Sequence, residues 1–370
     1  MADTQQQVAI VGCGIIGRTH AKTIAERPDA IVTALVDGDA AAREALRAQL
    51  VELGRPEPKV YDDLTAALSG SDISLVAICT PSGTHAALAE QALGDKKHVV
   101  IEKPIDVSVS RARRLGAAAA RAAGHGVVAS VISQHRFDAG SAVIKQAIDA
   151  GRFGQLTSSV ATVAWWRSDE YYASAGWRGT WALDGGGALM NQGVHTVDLL
   201  IAAMGRPVEV FAYTGTLAHE RVETEDVAVA VVKFESGALG VIHATTAAYP
   251  GLSARVQVHG DKGSVVIDND ELTYIHRAAY AGDQRDVAYG ANSATDNQKD
   301  SLDLPEAAAA AAGRDPGQLS DAHRLQYLNI LAALEGREKL RVDLETNRQA
   351  ISVITGAYES ARTGRPVMLS

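Results

Sequence analysis

Short apolar runs alternate with amphipathic stretches through the first third of the chain. The strand-like runs fall at 8–11, 31–36, 59–61, 74–79, 98–101 and 127–132. Helical spacing fills the gaps at 15–26, 40–53, 63–68, 84–93 and 108–123. Near-continuous apolar strands separated by helices predict a parallel sheet covered on both faces. After residue 133 the pattern changes. A helix over 140–150, a strand over 156–166 and a helix over 188–204 precede alternating runs at 208–216, 227–234, 240–245, 254–259, 264–267 and 271–275. Gly237 and the Gly260-Asp261-Lys262-Gly263 turn read as hairpin connections. The second region is therefore predicted to be α+β, with a mostly antiparallel sheet and helices on one face. The domain expectation is 1–133 and 134–370. Residues 278–305 read as a surface loop, 307–312 as a biased alanine run, and 320–334 and 346–361 as amphipathic stretches. The last of these could pack back near the first domain.

Composition narrows the class. A chain of 370 residues with 46% hydrophobic and 21% charged residues suits a two-domain globular protein. A formal net charge of -9 points away from nucleic acid and anionic lipid. Cys13 and Cys79 sit in or beside apolar runs and read as reduced thiols, not a disulfide or a metal pair. Residues 1–7 lack a basic and apolar leader, and no apolar run approaches about 20 residues, so a cytoplasmic location is expected.

The first candidate chemistry is Gly12-Cys13-Gly14-Ile15-Ile16-Gly17, between a strand and a helix. Gly12 permits a tight turn, Gly14 lets backbone approach phosphate, and Gly17 lets helix and strand pack closely. The helix N-terminus offers N–H groups and dipole to a pyrophosphate. Asp37 closes the second apolar run, about 20 residues on, where a carboxylate suits ribose hydroxyls. Gly12, Asp37, Thr80 and Glu102 all fall at predicted strand ends, which converge on one crevice. Asp37 repels a 2′-phosphate, so NAD is favoured; Arg43, the nearest basic residue, leaves NADP open.

Lys103, in Glu102-Lys103-Pro104, ends the fifth strand and could stabilise charge on a substrate oxygen. It could equally be an ordinary solvent-facing lysine. Asn191, His195 and Asp198 at i, i+4 and i+7 would share one face of a helix opened by Gly185-Gly186-Gly187. His195 can accept a proton near neutral pH, or be a satisfied core residue. His195 with Asp198 offers two metal ligands but no third at ligand spacing, so no metal is expected. All four tryptophans fall in one segment with Arg167, Tyr171, Tyr172 and Arg178. Trp165, Trp166, Trp177 and Trp181 could form a platform for a ring, or a packing surface. A carboxylate or phosphate near Arg167 or Arg178 is one reading.

In order, the glycine motif, Cys79-Thr80-Pro81 with His85, Glu102-Lys103-Pro104, Trp177-Arg178 and the glycine–His195–Asp198 block resemble the glucose–fructose oxidoreductase / inositol dehydrogenase / rhizopine catabolism (Gfo/Idh/MocA) family. The resemblance spans nearly the whole chain. It implies a Rossmann NAD-binding domain and a second domain whose large open sheet mediates dimer or tetramer contacts. It implies hydride transfer between nicotinamide and a secondary alcohol or ketone of a sugar, sugar acid, nucleotide sugar or inositol. The alternatives are a redox-neutral, NAD-retaining sugar hydrolase or epimerase, and a non-catalytic sugar- or dinucleotide-sensing regulator. By resemblance Lys103, His195 and Asn191 are catalytic. The cofactor residues are Gly12, Gly14, Ile15, Ile16, Gly17, Asp37, Thr80, Pro81, His85, Glu102, Lys103, Trp177 and Arg178. The substrate residues are Lys103, Arg136, Trp165, Arg167, Tyr171, Asn191 and His195. The family often has Asp where this chain has Asn191, and an amide can orient but cannot relay a proton.

Overall fold

The computed structural model describes residues 5–283, 297–302 and 321–369. The alanine run and the greater part of the 278–305 loop lie outside the described residues. The chain divides into two compact units, one drawn from Met1–Gln134 and Asp315–Arg348, the other from His135–Arg314 and Gln349–Ser370.

The first unit holds strands β1 (Gln6–Val11), β2 (Ala30–Val36), β3 (Lys59–Tyr61), β4 (Leu75–Ile78), β5 (His98–Ile101) and β6 (Ala129–Val131). They form a six-stranded sheet in the order β3-β2-β1-β4-β5-β6, and every pairing is parallel. The order reverses beside β1, between β1 and β4, which opens a crevice at the strand ends. The helices between them are α1 (Ile15–Ala25), α2 (Ala40–Glu52), α3 (Leu64–Gly70), α4 (His85–Gly94) and α5 (Val109–Ala123). Side-chain caps start three of them: Asp39 accepts from Ala41 N–H, Asp63 from Ala66 N–H and Ser108 from Arg111 N–H. Helix α1 begins at Gly14 without a side-chain cap.

The core of this unit includes Val8, Ile10, Ala21, Ile24, Leu35 and Leu75, but also Tyr327, Ile330 and Leu331. Those last three lie on α9 (Asp321–Leu334), more than half the chain away. The expectation that all residues after 133 belong to the second domain differs from this arrangement. Polar anchors accompany the packing: Ser133 N–H donates to Gln326 Oε1 at 3.0 Å, and Gln326 Nε2 donates to Val131 O at 2.8 Å. The amphipathic pattern of 320–334 showed that one face is buried, not which core receives it.

The second unit is built on an eight-stranded sheet in the order β13-β12-β11-β7-β10-β9-β8-β14. Its strands are β7 (Leu156–Ala164), β8 (Pro207–Gly215), β9 (Val227–Phe234), β10 (Leu239–Thr245), β11 (Ala254–Gly260), β12 (Gly263–Asp268), β13 (Glu271–Arg277) and β14 (Val367–Met368). The β7–β10 pair is parallel; the others are antiparallel. Helices α6 (Ala139–Asp149) and α8 (Val194–Met204) pack on one face. Along β9, Ala228, Ala230, Val232 and Phe234 point into that core, while Val229 and Val231 alternate outward. Tyr213, Leu239 and Val241 are also exposed. Helix α10 (Leu344–Thr363) crosses the division: Asn347 Oδ1 accepts Ile105 N–H in the first unit, and Ser360 Oγ accepts Ala212 N–H in the second.

The helix expected over 188–204 is two segments. Ala188–Gln192 is a π-type turn, closed by Gly193 N–H donating to Ala188 O at 2.8 Å, and α8 starts at Val194. Asn191 and His195 therefore do not share one continuous α-helical face.

Candidate active site

In the first unit the glycine turn has the geometry its spacing requires. Gly12 has φ +95°, and a Cβ there would meet Cys79 O at 2.6 Å. A Cβ on Gly17 would collide with Gly12 O. A Cβ on Gly14 would meet nothing within 4 Å among the described residues beyond its chain neighbours, and the neighbouring Ile15 is 63% exposed while Ile16 is half-buried. The turn therefore leaves open backbone at the start of an uncapped helix of 11 residues, which fits a pyrophosphate. Asp37 Oδ2 accepts Cys13 N–H at 2.7 Å and Oδ1 accepts Asp39 N–H at 2.9 Å. These bonds fix its carboxylate beside the turn and leave further lone pairs for ribose hydroxyls. Arg43 donates to Asp37 O and pairs with Asp62 at 2.7 Å, which ties it to the protein.

Thr80 and Pro81 follow β4. Thr80 Oγ1 bonds Thr84 Oγ1 at 2.7 Å, and Pro81 O accepts Thr84 N–H at 3.0 Å. His85, expected to touch the dinucleotide, is 1% exposed. Its Nδ1 bonds Pro104 O and its Nε2 bonds Thr80 O, each at 2.7 Å. It therefore braces the two loops that carry Thr80 and Lys103.

Glu102 also turns inward. Its Oε1 lies 2.8 Å from His20 Nε2 and its Oε2 accepts Lys103 N–H at 3.0 Å. His20 Nδ1 bonds Tyr327 Oη at 2.6 Å. Burial opposes charge on this pair, yet hydrogen bonds from His20 and His323 hold the Glu102 carboxyl well below its ordinary range. Burial likewise opposes charge on His20, but Cys79, Tyr327 and Glu102 lift it well above its ordinary value. This buried ion pair sits directly beneath the backbone of half-buried Lys103. His20, His323 and Tyr327 carried no local sequence signal, since their partners come from distant segments.

In the second unit His195 is half-buried on the first turn of α8. Its ring meets His135 edge-on, with centroids 5.0 Å apart. His135 Nδ1 donates to Asp138 at 2.9 Å and to Asp270 at 3.0 Å. Burial works against charge on His135, but those two hydrogen bonds prevail and lift it to about 10. A cation therefore stands beside the His195 ring at neutral pH. Arg136, expected at the substrate, makes a bidentate pair with Asp198: Nε to Oδ2 at 2.6 Å and Nη2 to Oδ1 at 2.7 Å. Asp198 thus anchors α8 to the segment carrying His135.

Asn191 Nδ2 donates to Asp184 Oδ1, and Asp184 Oδ2 accepts Gly179 N–H at 2.8 Å. The buried carboxylate sets the amide orientation, because it can only accept. Asp184, not marked as functional from spacing, thereby places a negative charge behind Asn191. The glycines before this turn are fitted to Glu225. Its carboxylate accepts Gly187 N–H and Leu189 N–H, each at 2.8 Å, and Tyr358 Oη donates to it at 2.9 Å. Burial pushes the Glu225 carboxyl up to about 7 against those donors.

The aromatic segment is organised around Tyr171 on α7 (Asp169–Ala173). The Arg167 guanidinium lies 5.1 Å from the Trp165 ring centre and 5.1 Å from that of Tyr171. Arg178 lies 4.3 Å from Tyr171 and 4.7 Å from Trp177. Among the described residues, two groups have ligand-type atoms within 4.8 Å of one another, His20–Glu102–His323 and His135–Asp138–Asp270. In both, hydrogen bonds already join the members.

Comparison with known proteins agrees with this geometry. Residues 6–132 match the family model described as "Oxidoreductase family, NAD-binding Rossmann fold", and residues 142–266 match "GFO/IDH/MocA C-terminal domain". A myo-inositol 2-dehydrogenase of Thermotoga maritima is 28% identical over 285 residues, covering 75% of this chain and 80% of the relative. YdgJ, an uncharacterized oxidoreductase of Escherichia coli, is 30% identical over 268 residues, 70% of each chain. The WlbA dehydrogenase of Bordetella pertussis, crystallised with NADH and UDP-GlcNAcA, superposes with a TM-score of 0.83 at 29% identity, covering 100% of this chain and 99% of that one. With the parallel sheet, the glycine turn and the matched second domain in place, the chain belongs to the Gfo/Idh/MocA family of NAD-binding oxidoreductases.

Proposed function

We propose that the protein is an NAD-dependent dehydrogenase acting on a secondary alcohol of a sugar, sugar acid, nucleotide sugar or inositol. The observation that carries the reading is the retention of two reactive groups on braced supports: Lys103 over the buried His20–Glu102 pair, and His195 on the first turn of α8. Nicotinamide supplies the hydride acceptor when bound. Gly12, Gly14, Gly17 and Asp37 hold the dinucleotide, with Thr80, Pro81, Ile15 and Ile16 around it. Lys103 stabilises negative charge on the substrate oxygen as its proton leaves, and His195 Nδ1 or Nε2 receives that proton. Asn191, oriented by Asp184, presents its carbonyl oxygen to a substrate hydroxyl. A sensor needs neither Lys103 nor His195.

The test is NADH absorbance over a panel of inositols, aldoses, anhydrosugars and sugar acids. Lys103→Ala and His195→Ala should each lower turnover by about 10²–10⁴ while NAD still binds. Near-normal turnover in either variant removes that residue from the chemistry. NAD tightly held through turnover without net NADH release would favour the redox-neutral alternative.

We also propose that the protein is a homo-oligomer, dimer or tetramer, joined through the exposed face of the second sheet. Val229, Val231, Leu239, Val241 and Tyr213 form an apolar surface opposite the helices, and such patches mark association sites. Light scattering on the wild type and on Val231→Glu checks this; an unchanged mass overturns it. Among the described residues no helix is long and apolar enough to cross a membrane. The unpaired thiols Cys13 and Cys79 support a cytoplasmic setting.

A further inference from the structure

We propose that His135 is a positioning residue for the reaction: a cation locked by Asp138 and Asp270 against the ring of His195, it keeps that ring uncharged and ready to take the substrate proton. This rests on the dehydrogenase reading above and deepens it by naming what sets the charge of its base.

The two rings meet edge-on, with centroids 5.0 Å apart and planes at 83°. His135 is held by two other elements. Its Nδ1 lies 2.9 Å from Asp138 Oδ2 and 3.0 Å from Asp270 Oδ1. Two carboxylates on one ring nitrogen need a proton between them, because an ionised carboxylate can only accept. Burial opposes the charge on His135, but those bonds prevail and lift it to about 10.

The lock is built from both sides. Asp138 stands at the N-cap of α6, where an Asp side chain ordinarily bonds the first helical N–H groups. Here it makes no such bond and turns to His135 instead. Asp270 comes from the β12–β13 hairpin turn, where Asn269 and Asp270 have φ +49° and +67°. A Cβ on Gly140, in the first turn of α6, would lie 3.2 Å from Leu272 Cβ. The hairpin therefore packs closely on the start of the helix, which brings Asp270 to the ring.

Other charges around α8 are matched or engaged elsewhere. Asp198, three residues after His195, is matched by the bidentate Arg136, and the same pair fixes α8 against the segment carrying His135. Asp184 accepts Gly179 N–H and the Asn191 amide. Lys145 and Asp149 on α6 pair with each other at the surface. The helix also packs on β7 and β11, whose buried positions Ser159, Ala161, Val163, Val256 and Val258 are uncharged. An imidazolium formed on His195 would thus stand beside a second cation that keeps its own proton. Like charges at that separation repel strongly in half-buried surroundings. His195 stays neutral to lower pH than an ordinary histidine, and once it has taken the substrate proton it passes that proton on readily.

The experiment is a histidine ring-proton NMR titration of the full-length, NAD-loaded protein from about pH 5 to 9. The chain has 11 histidines, and the two signals are assigned as those lost in His135→Gln and in His195→Gln. In the wild type His135 should stay protonated throughout, and His195 should titrate below the ordinary histidine value of about 6.5. His135→Gln should raise the His195 midpoint by about one pH unit, and the acid limb of kcat against pH should move with it. His135→Arg, which restores a cation, should bring the midpoint back. Asp270→Asn removes an anion while Asp138 still holds the proton, so it should not raise the midpoint. A His135 that loses its proton near the ordinary value overturns the proposal, as does a His195 midpoint that His135→Gln leaves in place or lowers. An equal upward shift in Asp270→Asn overturns it too, since loosened packing would then be the cause. If His135→Gln does not fold, the wild-type titration and Asp270→Asn decide. The coupled titration without NADH formation on any polyol sinks the dehydrogenase reading alone; an active enzyme whose His195 ignores His135 sinks the positioning role alone.

Discussion

Each unit has a glycine cluster at the entrance to a helix, and the two are fixed in different ways. Gly12, Gly14 and Gly17 answer mostly to one another and to the adjacent strand end: the Cβ of Gly17 would strike Gly12 O, and that of Gly12 the Cys79 carbonyl. Gly186 and Gly187 answer to residues brought from afar: a Cβ on Gly187 would strike Glu225 O, and one on Gly186 the Tyr358 hydroxyl. The first cluster is a local motif with open space at Gly14, shaped for something outside the protein. The second is a packed joint in which the polar partners are the protein's own.

The comparison can be broken by substitution. Gly17→Ala and Gly187→Ala both force a methyl onto a backbone carbonyl and should each cost about 3 kcal/mol or more in chemical denaturation. A small loss in either would mean that its surroundings yield.

Next is the pH response of the joint. The folded carboxyl of Glu225 titrates at about 7, raised by burial from 4.5. Below the unfolded value both states hold the proton, and this contribution to stability is complete. As pH rises towards about 7 the unfolded chain releases its proton first, so stability falls by up to about 3 kcal/mol and then levels. Thermal melts from pH 4.5 to 8 check this, and Glu225→Gln should remove that slope.

Gly14→Ala separates fold from ligand. Its Cβ meets nothing within 4 Å among the described residues, so the melting temperature should hold while the Kd for NAD rises about tenfold, or about 1.4 kcal/mol. A lowered melting temperature would put Gly14 in the same class as Gly17. The smallest effect is expected from Tyr358→Phe, which removes one donor from Glu225. It should cost about 1 kcal/mol and raise the midpoint of the pH response.

These contrasts also explain what could be read from the chain. The parallel strands were legible because buried runs such as 8–11 and 75–78 are apolar throughout. The dinucleotide turn was legible because its constraints lie within a few residues. Helix α9 was recognisable as amphipathic, but an amphipathic face does not name its partner, so its return to the first core was missed. The π-type turn at Ala188–Gln192 was read as continuous helix because the 3.6-residue pattern persists through Gly193. The partners of Asn191, Glu225 and Glu102 come from other segments, and no spacing rule links Asp184 to an amide, Tyr358 to a glycine turn, or His20 to a strand end.

The return of α9 has a consequence for how the protein is made. Tyr327, Ile330 and Leu331 fill out the hydrophobic interior of the half that leaves the ribosome first. During synthesis that half waits, with an unsealed apolar flank, until α9 emerges after the strands β7 to β13. The nucleotide-binding portion cut out by itself should therefore be a poor folder, and the order of translation runs against the order of completion.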